Sequence, residues 1–570
     1  MSRRRFLESG LAVTLLPGLE AALGRFATGA PAQPLTRFSP VTPSTADEVV
    51  LPEGFRHEVV IRWGDPFTAD GRTWGYNNDW VGLLPLGSPE DALLGVNHEY
   101  ISLAIEGDAP LYRESFQALR GRADTIADWK RDVGLSVLRV RRDERTGAWG
   151  PVLGDRLNRR VDAVTPFVVD GPAAAVLGER AEGTFNNCSG QATPWGTFLS
   201  CEENFQDHVP EAVDTKGRSP RGGDFDLPGG HYGWVVEVDP HDPASTPRKH
   251  TALGRCRHEN VAIRAEPGRP VAAYMGDDRT GGHVWKFVSD ELYRPGDRES
   301  CRRLLRSGAL YAARFEDGGG GEWRRLDLAT ELHPNPDPRD LKPALPPFAR
   351  TLGDVYEGLG AALADAYQAA NCIGATPAGR PEDLEVHPGD GSVFIAFTAV
   401  SGRPGLFENV YGEIWRLEEE GRDASAKRFR WTRFAGGGPA DASRAGRVFA
   451  QPDNMLFDPE GNLWVCTDMS SSRLNQRADY LPFANNGLFL IPTRGESAGR
   501  ARQLASIPCE AESCGPALTP DGGTLFLSIQ HPGERFGIRK QAGAEPRGSN
   551  WPEGGLRTPP RPSLIAIRRS

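Results

Sequence analysis

The sequence has few of the features that mark membrane proteins or small disulfide-rich domains. It contains no run of ~18 or more apolar residues, so it predicts no membrane span. Eight cysteines are scattered over 570 residues, which is too few for a scaffold held together by disulfides. A chain of this length instead has enough apolar residues to bury an ordinary hydrophobic core.

The chain also lacks an excess of basic residues and has little helical periodicity. Its 66 Lys and Arg residues are outnumbered by 76 Asp and Glu residues, which gives a formal net charge of -10. Binding to a nucleic acid requires a basic surface, so no nucleic-acid partner is expected. Apolar residues at a period of 3.6 are scarce outside residues 361–370, which argues against a helical fold.

Glycine and proline, by contrast, are abundant and occur in a repeated pattern. Five polar turns each join two short apolar runs, as in a β-hairpin, at residues 193–196, 266–268, 387–391, 458–461 and 519–522. Successive turns lie roughly 60 to 75 residues apart, except for one interval nearly twice as long. A β-rich unit at 51–99 brings the number of units to about six. The pattern predicts an all-β protein, a six-bladed β-propeller with helical or irregular insertions covering one face.

We expect a single domain over residues 34–570, with insertions near 102–130 and 290–370. Residues 2–7 read Ser-Arg-Arg-Arg-Phe-Leu and precede a modestly apolar stretch at 10–19, a pattern that resembles a twin-arginine signal. This predicts a signal peptide over residues 1–33, export by the twin-arginine machinery, and a periplasmic or secreted location. The alternative is an arginine-rich start of a cytosolic protein.

The open ends of these hairpins carry groups that can bind metals. A hairpin brings the residues before its first strand beside those after its second. This pairing sets Glu259 opposite Asp277 and Asp278, Glu382 opposite Thr398, Asp453 opposite Asp468, and Cys188 opposite Cys201 and Glu202. Negative charge concentrated at one rim is unfavourable unless cations neutralise it, so the pattern predicts a metal site.

Two motifs repeat a histidine followed by an acid, the first at the end of an apolar strand and the second at the start of one. Glu99 follows His98 and Glu259 follows His258. Either acid alone reads as an exposed loop residue, but their recurrence at rim positions favours metal ligation. The strongest motif is Cys-Glu-Glu-Asn at 201–204, although an isolated cysteine is more often a small buried apolar residue. A thiolate suits iron or zinc and surplus carboxylates suit calcium, so a mixed metal cluster is expected.

Arg380 and Glu382 flank Pro381 at the mouth of another hairpin. They read either as a surface ion pair or, beside a metal cluster, as a clamp for a phosphoryl group, because the planar guanidinium matches two phosphate oxygens.

Taken together, the chain resembles the PhoX-type alkaline phosphatases over most of its length. The resemblance rests on the motifs at 63–66, 76–79, 97–100, 193–197, 201–204, 276–278, 380–382 and 530–534. It implies a six-bladed propeller that holds two Fe3+ and two to three Ca2+ ions around a bridging oxide. It also implies hydrolysis of phosphate monoesters through attack by a metal-held oxide or hydroxide.

The resemblance also implies roles for individual residues. Cys201 would bind iron, Glu99, Glu202, Glu259 and Glu382 would hold iron and calcium, Asp468 would be a further metal ligand, and Arg380 would contact the substrate phosphate. The partners implied are small phosphate esters, and a monomer is expected. Two other readings stay open: a calcium-dependent propeller lactonase or esterase, and a non-catalytic binding propeller whose loops are braced by calcium.

Overall fold

The computed structural model describes residues 34–101, 123–334, 345–398, 406–439, 448–543 and 546–570. Within these ranges the chain forms 32 β-strands and five short α-helices, so the all-β prediction is confirmed. The predicted signal peptide and most of the insertion near 102–130 lie outside the described residues. None of the helices in the described ranges is long and apolar enough to cross a membrane.

The first half of the chain contains the strands β1 (Phe55–Arg62), β2 (Asn78–Leu86), β3 (Ser88–His98), β4 (Gly134–Arg142), β5 (Trp149–Pro151), β6 (Arg159–Val161), β7 (Pro166–Asp170), β8 (Arg180–Glu182), β9 (Asn187–Ala192), β10 (Phe198–Glu202), β11 (Arg221–Gly222), β12 (Leu227–Pro228), β13 (Val235–Val238), β14 (Arg248–His250), β15 (His258–Arg264) and β16 (Pro270–Asp277).

The second half contains β17 (Thr280–Gly282), β18 (Val284–Leu292), β19 (Gly308–Glu316), β20 (Gly320–Arg325), β21 (Ala378–Gly379), β22 (Pro381–Val386), β23 (Val393–Phe397), β24 (Glu413–Glu419), β25 (Arg428–Gly436), β26 (Pro452–Phe457), β27 (Leu463–Thr467), β28 (Gly487–Ile491), β29 (Arg502–Ser506), β30 (Glu512–Leu518), β31 (Thr524–Gln530) and β32 (Ser563–Arg569). The helices are α1 (Ala123–Asp132), α2 (Ala174–Leu177), α3 (Arg298–Cys301), α4 (Leu359–Ala364) and α5 (Ala366–Cys372).

The strands form five main sheets. Their orders are β2-β3-β4-β5, β9-β10-β13-β14-β7-β8, β15-β16-β18-β19-β20-β25-β24-β23-β22, β26-β27-β28-β29 and β30-β31-β32-β1. The nine-stranded sheet consists of two antiparallel units that join where β20 pairs with β25. The last sheet pairs β1 with β32, so strands from the two ends of the described chain share one sheet.

The predicted hairpins are confirmed. The apolar runs at 271–275, 393–397, 463–466 and 525–529 lie in β16, β23, β27 and β31, each paired antiparallel with the strand on the other side of its turn. In the region 290–370, predicted as a helical or irregular insertion, α3 and α4 are helical, whereas β19 and β20 extend the sheet of β15, β16 and β18. Gly318 and Gly319 make the connecting turn at φ values of 87° and 90°, which only glycine adopts readily.

The first strand of each unit faces the centre of the molecule. These six strands contact one another in a closed order: β2 contacts β9 and β30, β15 contacts β9 and β22, and β26 contacts β22 and β30. Apolar side chains pack between neighbouring sheets, as where Val96 and Val140 of the first sheet meet Phe526 and Leu564 of the last. The starts of the six strands therefore lie close together.

A buried ion pair joins the two halves of the nine-stranded sheet. Lys286 Nζ of β18 lies 2.9 Å from Glu419 Oε1 at the end of β24, and both side chains are buried. The hydroxyl of Tyr274 donates to Glu419 Oε1 at 3.1 Å, and Trp323 Nε1 donates to Oε2 at 3.2 Å. Three donors therefore contact the carboxylate, and Lys286 is the one that compensates its charge.

Replacement of Lys286 by methionine should destabilise the protein by about 3–5 kcal/mol, because it leaves the Glu419 charge buried without its cation. The double variant Lys286→Met/Glu419→Leu should recover most of this loss. Chemical denaturation followed by tryptophan fluorescence measures both. Arg218→Met, at the exposed Arg218–Asp214 pair, is the control and should leave the midpoint unchanged. A Lys286→Met midpoint equal to that of the control would contradict the assignment.

Candidate active site

The same backbone hydrogen bond closes the rim end of five hairpins. In each, the residue that follows the second strand donates its N–H to the carbonyl of the residue that precedes the first. The bonds are Glu99 to Asn77 (3.0 Å), Glu203 to Asn186 (2.8 Å), Asp278 to Arg257 (2.9 Å), Thr398 to Arg380 (3.2 Å) and Asp468 to Gln451 (3.0 Å). The repetition directs equivalent side chains of all five hairpins to the same rim.

Two sets of residues meet at this rim. The inner ring comes from the starts of the six central strands and comprises Asp79, Cys188, Glu259, Glu382, Asp453, Glu512 and Cys514. The outer ring comes from the residues directly after the second strands and comprises Glu99, Glu203, Asp278, Thr398, Asp468 and His531. The rim thus collects nine carboxylates and two thiols.

Four groups of three side chains are close enough to share a cation. In each group the ligand atoms lie within 4.8 Å of one another, and all the residues are buried. The groups are Asp79, Glu99 and Cys188; Cys188, Glu203 and Glu259; Asp453, Glu512 and Cys514; and Glu259, Glu382 and Asp453. Because the groups share members, the donors form one continuous cluster.

Cys188 lies between two carboxylates of the inner ring. Its Sγ is 3.3 Å from Asp79 Oδ2 and 3.1 Å from Glu259 Oε1. Burial, and next the charge of Asp79, raise the pKa of the Cys188 thiol well above its ordinary value. Gln530 Nε2 donates to Asp79 Oδ2 at 2.8 Å and to Glu99 Oε2 at 3.2 Å, which orients both acids. A bound cation would favour the thiolate that its neighbours otherwise oppose.

The acids of the cluster are unstable as free anions. Burial, followed by repulsion from neighbouring carboxylates, raises the pKa values of Asp79, Glu203, Glu259 and Glu512 well above the ordinary range. Burial likewise raises the pKa values of Glu99 and Asp453 to about 7.

Asp79 Oδ1 is buried and accepts no hydrogen bond within the described part of the chain. Such an orphaned oxygen in a set of carboxylates and thiols fits bound cations, which would supply the missing partner.

Arg380 is the arginine at the edge of this acidic cluster. Its Nε donates to Asp278 Oδ1 at 2.8 Å, its Nη2 donates to Asp278 Oδ2 at 2.5 Å, and Nη2 lies 3.1 Å from Glu382 Oε1. Burial opposes ionisation of Asp278, but the guanidinium outweighs it and lowers the pKa of that carboxyl. The Arg380 backbone has a φ of 50°, a conformation that is unfavourable for arginine. The bidentate pair therefore fixes the position of the guanidinium.

The structure brings together some of the residues predicted as metal ligands and not others. Glu99, Glu259 and Glu382 belong to the close groups. Asp468 lies in the outer ring, where burial raises its pKa although Arg380 acts in the opposite direction. Among the described residues, it is not a member of any of the close groups.

Within the described part of the chain, Cys201 and Glu202 are not members of any of the close groups. Cys201 is in an apolar core cluster with Leu199 and Val235. Glu202 forms a fully buried ion pair with Lys249 at 2.5 Å and accepts the N–H of Trp234 at 3.1 Å. The physical reason is position, because Cys201 and Glu202 are the last two residues of β10, whereas the outer ring takes Glu203, the first residue past the strand.

The ligand roles implied by the resemblance did not include Asp79, Cys188, Glu203, Asp453, Glu512 or Cys514, which the structure places in the close groups, although the hairpin pairing had already set Cys188 and Asp453 at the rim. A positional signal was available for three of them. Asp79, Cys188 and Asp453 are each the second residue of a central strand, as Glu259 and Glu382 are.

Comparison with known proteins agrees with this arrangement. The family model described as "Alkaline phosphatase PhoX" matches residues 36–533. The solved structure of Pseudomonas fluorescens PhoX in complex with vanadate, a transition-state analogue, is 30% identical to the chain and has a TM-score of 0.78. The match covers 93% of this chain and 98% of that one. No curated protein matches the chain.

Two lactonase structures match far more weakly. A gluconolactonase from Xanthomonas campestris is 10% identical, with a TM-score of 0.31, over 94% of this chain and 100% of that one. A putative 6-phosphogluconolactonase from Bacteroides fragilis is 11% identical, with a TM-score of 0.29, over 80% and 93%. Neither similarity supports an argument about fold or activity. The family model and the Pseudomonas structure, each spanning most of the described residues, confirm the resemblance seen in the motifs: the chain belongs to the alkaline phosphatase PhoX family.

Proposed function

We propose that the protein is an exported, metal-dependent alkaline phosphatase that hydrolyses phosphate monoesters. The observation that carries the proposal is Arg380, held at the edge of a buried cluster of carboxylates and thiols in a chain of the PhoX family. A lactonase or a calcium-braced binding protein would require neither a thiol among the acids nor a fixed guanidinium beside them. Both features suit a phosphoryl group bound next to cations.

The substrate-binding role of Arg380 follows from its contacts. Asp278 engages the Nε and Nη2 edge of the guanidinium, whereas Nη1 makes no hydrogen bond within the described residues. The side chain is 29% exposed, so part of it is accessible to a ligand. Arginine stays protonated at alkaline pH, and its N–H groups can therefore hold a phosphoryl oxygen in one orientation while charge develops on it.

The proposed ligand set is the inner ring together with Glu99 and Glu203 of the outer ring; Asp468 stays a candidate ligand at its edge. Cys188 suits iron and the surplus carboxylates suit calcium, in accordance with the two Fe3+ and two to three Ca2+ ions of the family resemblance. When bound, such ions lower the proton affinity of water and offset charge on the phosphoryl oxygens. The amides of Gln530 and Asn204 orient Asp79, Glu99 and Glu203 for this role.

The architecture that we propose is a six-bladed β-propeller formed by residues 34–570 as one domain. The closed order of contacts among the six central strands supports it, as does the pairing of β1 with β32 in the last sheet. We also propose export by the twin-arginine machinery, a periplasmic or secreted location and a monomeric state. The arginine-rich segment at 2–7 supports the export route, and cell fractionation tests it.

The first test is elemental analysis of the purified protein with p-nitrophenyl phosphate turnover on the same sample. Iron and calcium should be present, a chelator should abolish turnover, and added calcium should restore it after partial stripping, because the carboxylates repel one another without cations. Undiminished turnover after complete metal removal would contradict metal dependence. No turnover by fully loaded protein would contradict the phosphatase assignment.

Cys188 and Cys201 give opposite predictions. Cys188→Ala should lose iron and reduce turnover by at least about 100-fold, because it removes the thiol that lies between Asp79 and Glu259. Cys201→Ala should keep both iron and turnover, because this thiol lies in an apolar core. Circular dichroism checks the fold of each variant. Iron loss only in Cys201→Ala would restore the sequence-based assignment and exclude ours.

Replacement of Arg380 by lysine should lower kcat/KM for p-nitrophenyl phosphate by about 100- to 1000-fold, because a point charge cannot satisfy Asp278 and the phosphoryl group in one plane. Metal content should be unchanged. Arg477→Lys is the matched control at the exposed Arg477–Asp479 pair and should behave as wild type. A decrease of less than about threefold for Arg380→Lys would show that the guanidinium does not act on the substrate.

A further inference from the structure

Thr398 occupies a position that carries an acid in the neighbouring hairpins. It follows β23 directly, and its N–H donates to the Arg380 carbonyl at 3.2 Å, the bond that Glu99, Glu203 and Asp468 make in their own hairpins. The equivalent acids all belong to, or border, the cluster at the rim. The shared backbone geometry therefore directs the Thr398 side chain to that same rim.

The Thr398 hydroxyl has no hydrogen-bond partner within the described part of the chain. The residue is 0% exposed, and its Oγ1 is among the buried polar atoms without a partner. Burial of a hydroxyl without a hydrogen bond is unfavourable, and such groups in folded proteins call for a ligand. The hydroxyl is both a donor and an acceptor, so it can serve an anionic group without adding charge.

The charge around the rim is least negative at this hairpin. Four of the five hairpins with the repeated bond place a carboxylate after the second strand, whereas this one places a neutral hydroxyl there. The residue before its first strand is Arg380, whose Nη1 makes no hydrogen bond within the described residues. An anion approaching the cluster meets the least repulsion here, where Arg380 and Thr398 each offer a hydrogen-bond donor.

We propose that Thr398 is a further substrate-binding residue, whose hydroxyl donates a hydrogen bond to a phosphoryl oxygen beside Arg380. The chemical class of the ligand is a tetrahedral oxyanion, either the phosphoryl group of a monoester or free inorganic phosphate. Identification of that group as the reacting one rests on the proposed phosphatase function. Binding of inorganic phosphate does not depend on it.

The test compares Thr398→Val, which keeps the shape and removes the hydroxyl, with Thr398→Ser, which keeps the hydroxyl. Calorimetry measures the Kd of the metal-loaded protein for inorganic phosphate, and p-nitrophenyl phosphate assays give KM and kcat. Thr398→Val should raise the Kd and KM about tenfold with unchanged iron and calcium, as expected for one lost hydrogen bond. Thr398→Ser should stay within about twofold of wild type. Thr432→Val, at an exposed position of β25, is the matched control and should have no effect.

The outcomes distinguish the proposed role of Thr398 from the proposed phosphatase function. A wild-type Kd in Thr398→Val would overturn the role of Thr398, and so would weaker binding accompanied by loss of metal, because the hydroxyl would then support the cluster and not the anion. Suppose that the wild-type protein binds phosphate without turnover and that Thr398→Val binds phosphate more weakly. This result would support the role of Thr398 in anion binding and overturn the phosphatase proposal. A wild type that neither binds phosphate nor turns over would overturn both.

Discussion

Repulsion among buried carboxylates is the constraint to which the rest of this protein is fitted. Nine acids meet at one rim, and burial together with their mutual charge raises the pKa values of most of them. A fold that gathers so many acids must hold them rigidly, because relaxation would simply separate them. The six central strands supply that rigidity, since each one packs against two others in a closed order.

The protein compensates the charges of two acids, Glu202 and Asp278, in different ways. Glu202 is bound to Lys249 in the interior, so its charge is already compensated and the pair serves the sheet. Asp278 is bound to Arg380 at the edge of the cluster, where the guanidinium is partly exposed and its Nη1 makes no hydrogen bond to any residue that the structure describes. The first pair resembles a structural ion pair, and the second suits ligand binding. The two acids thus have unrelated roles.

The repeated hairpin explains how one rim can hold so many donors. A single backbone hydrogen bond recurs in five hairpins, and each repeat adds one residue to the inner ring and one to the outer ring. Function depends on where the repetition is broken. Thr398 stands where the other four hairpins place an acid, and Arg380 stands where three of them place a neutral amide, which makes this hairpin the least negative of the five. The approach of an anionic substrate follows from this asymmetry.

The sequence by itself determined the strands, the hairpins and the rim. Proline and glycine turns between apolar runs mark β23 and β27, and counting outward from a turn already sets Asp453 opposite Asp468, because these features are local. Only the tertiary structure decided which groups meet. Cys188, and not Cys201, joins the close groups because it is the second residue of a central strand, and the engagement of Glu202 depends on Lys249, a residue 47 positions away. A one-residue change of register moves a side chain to the opposite face, and no local pattern records it.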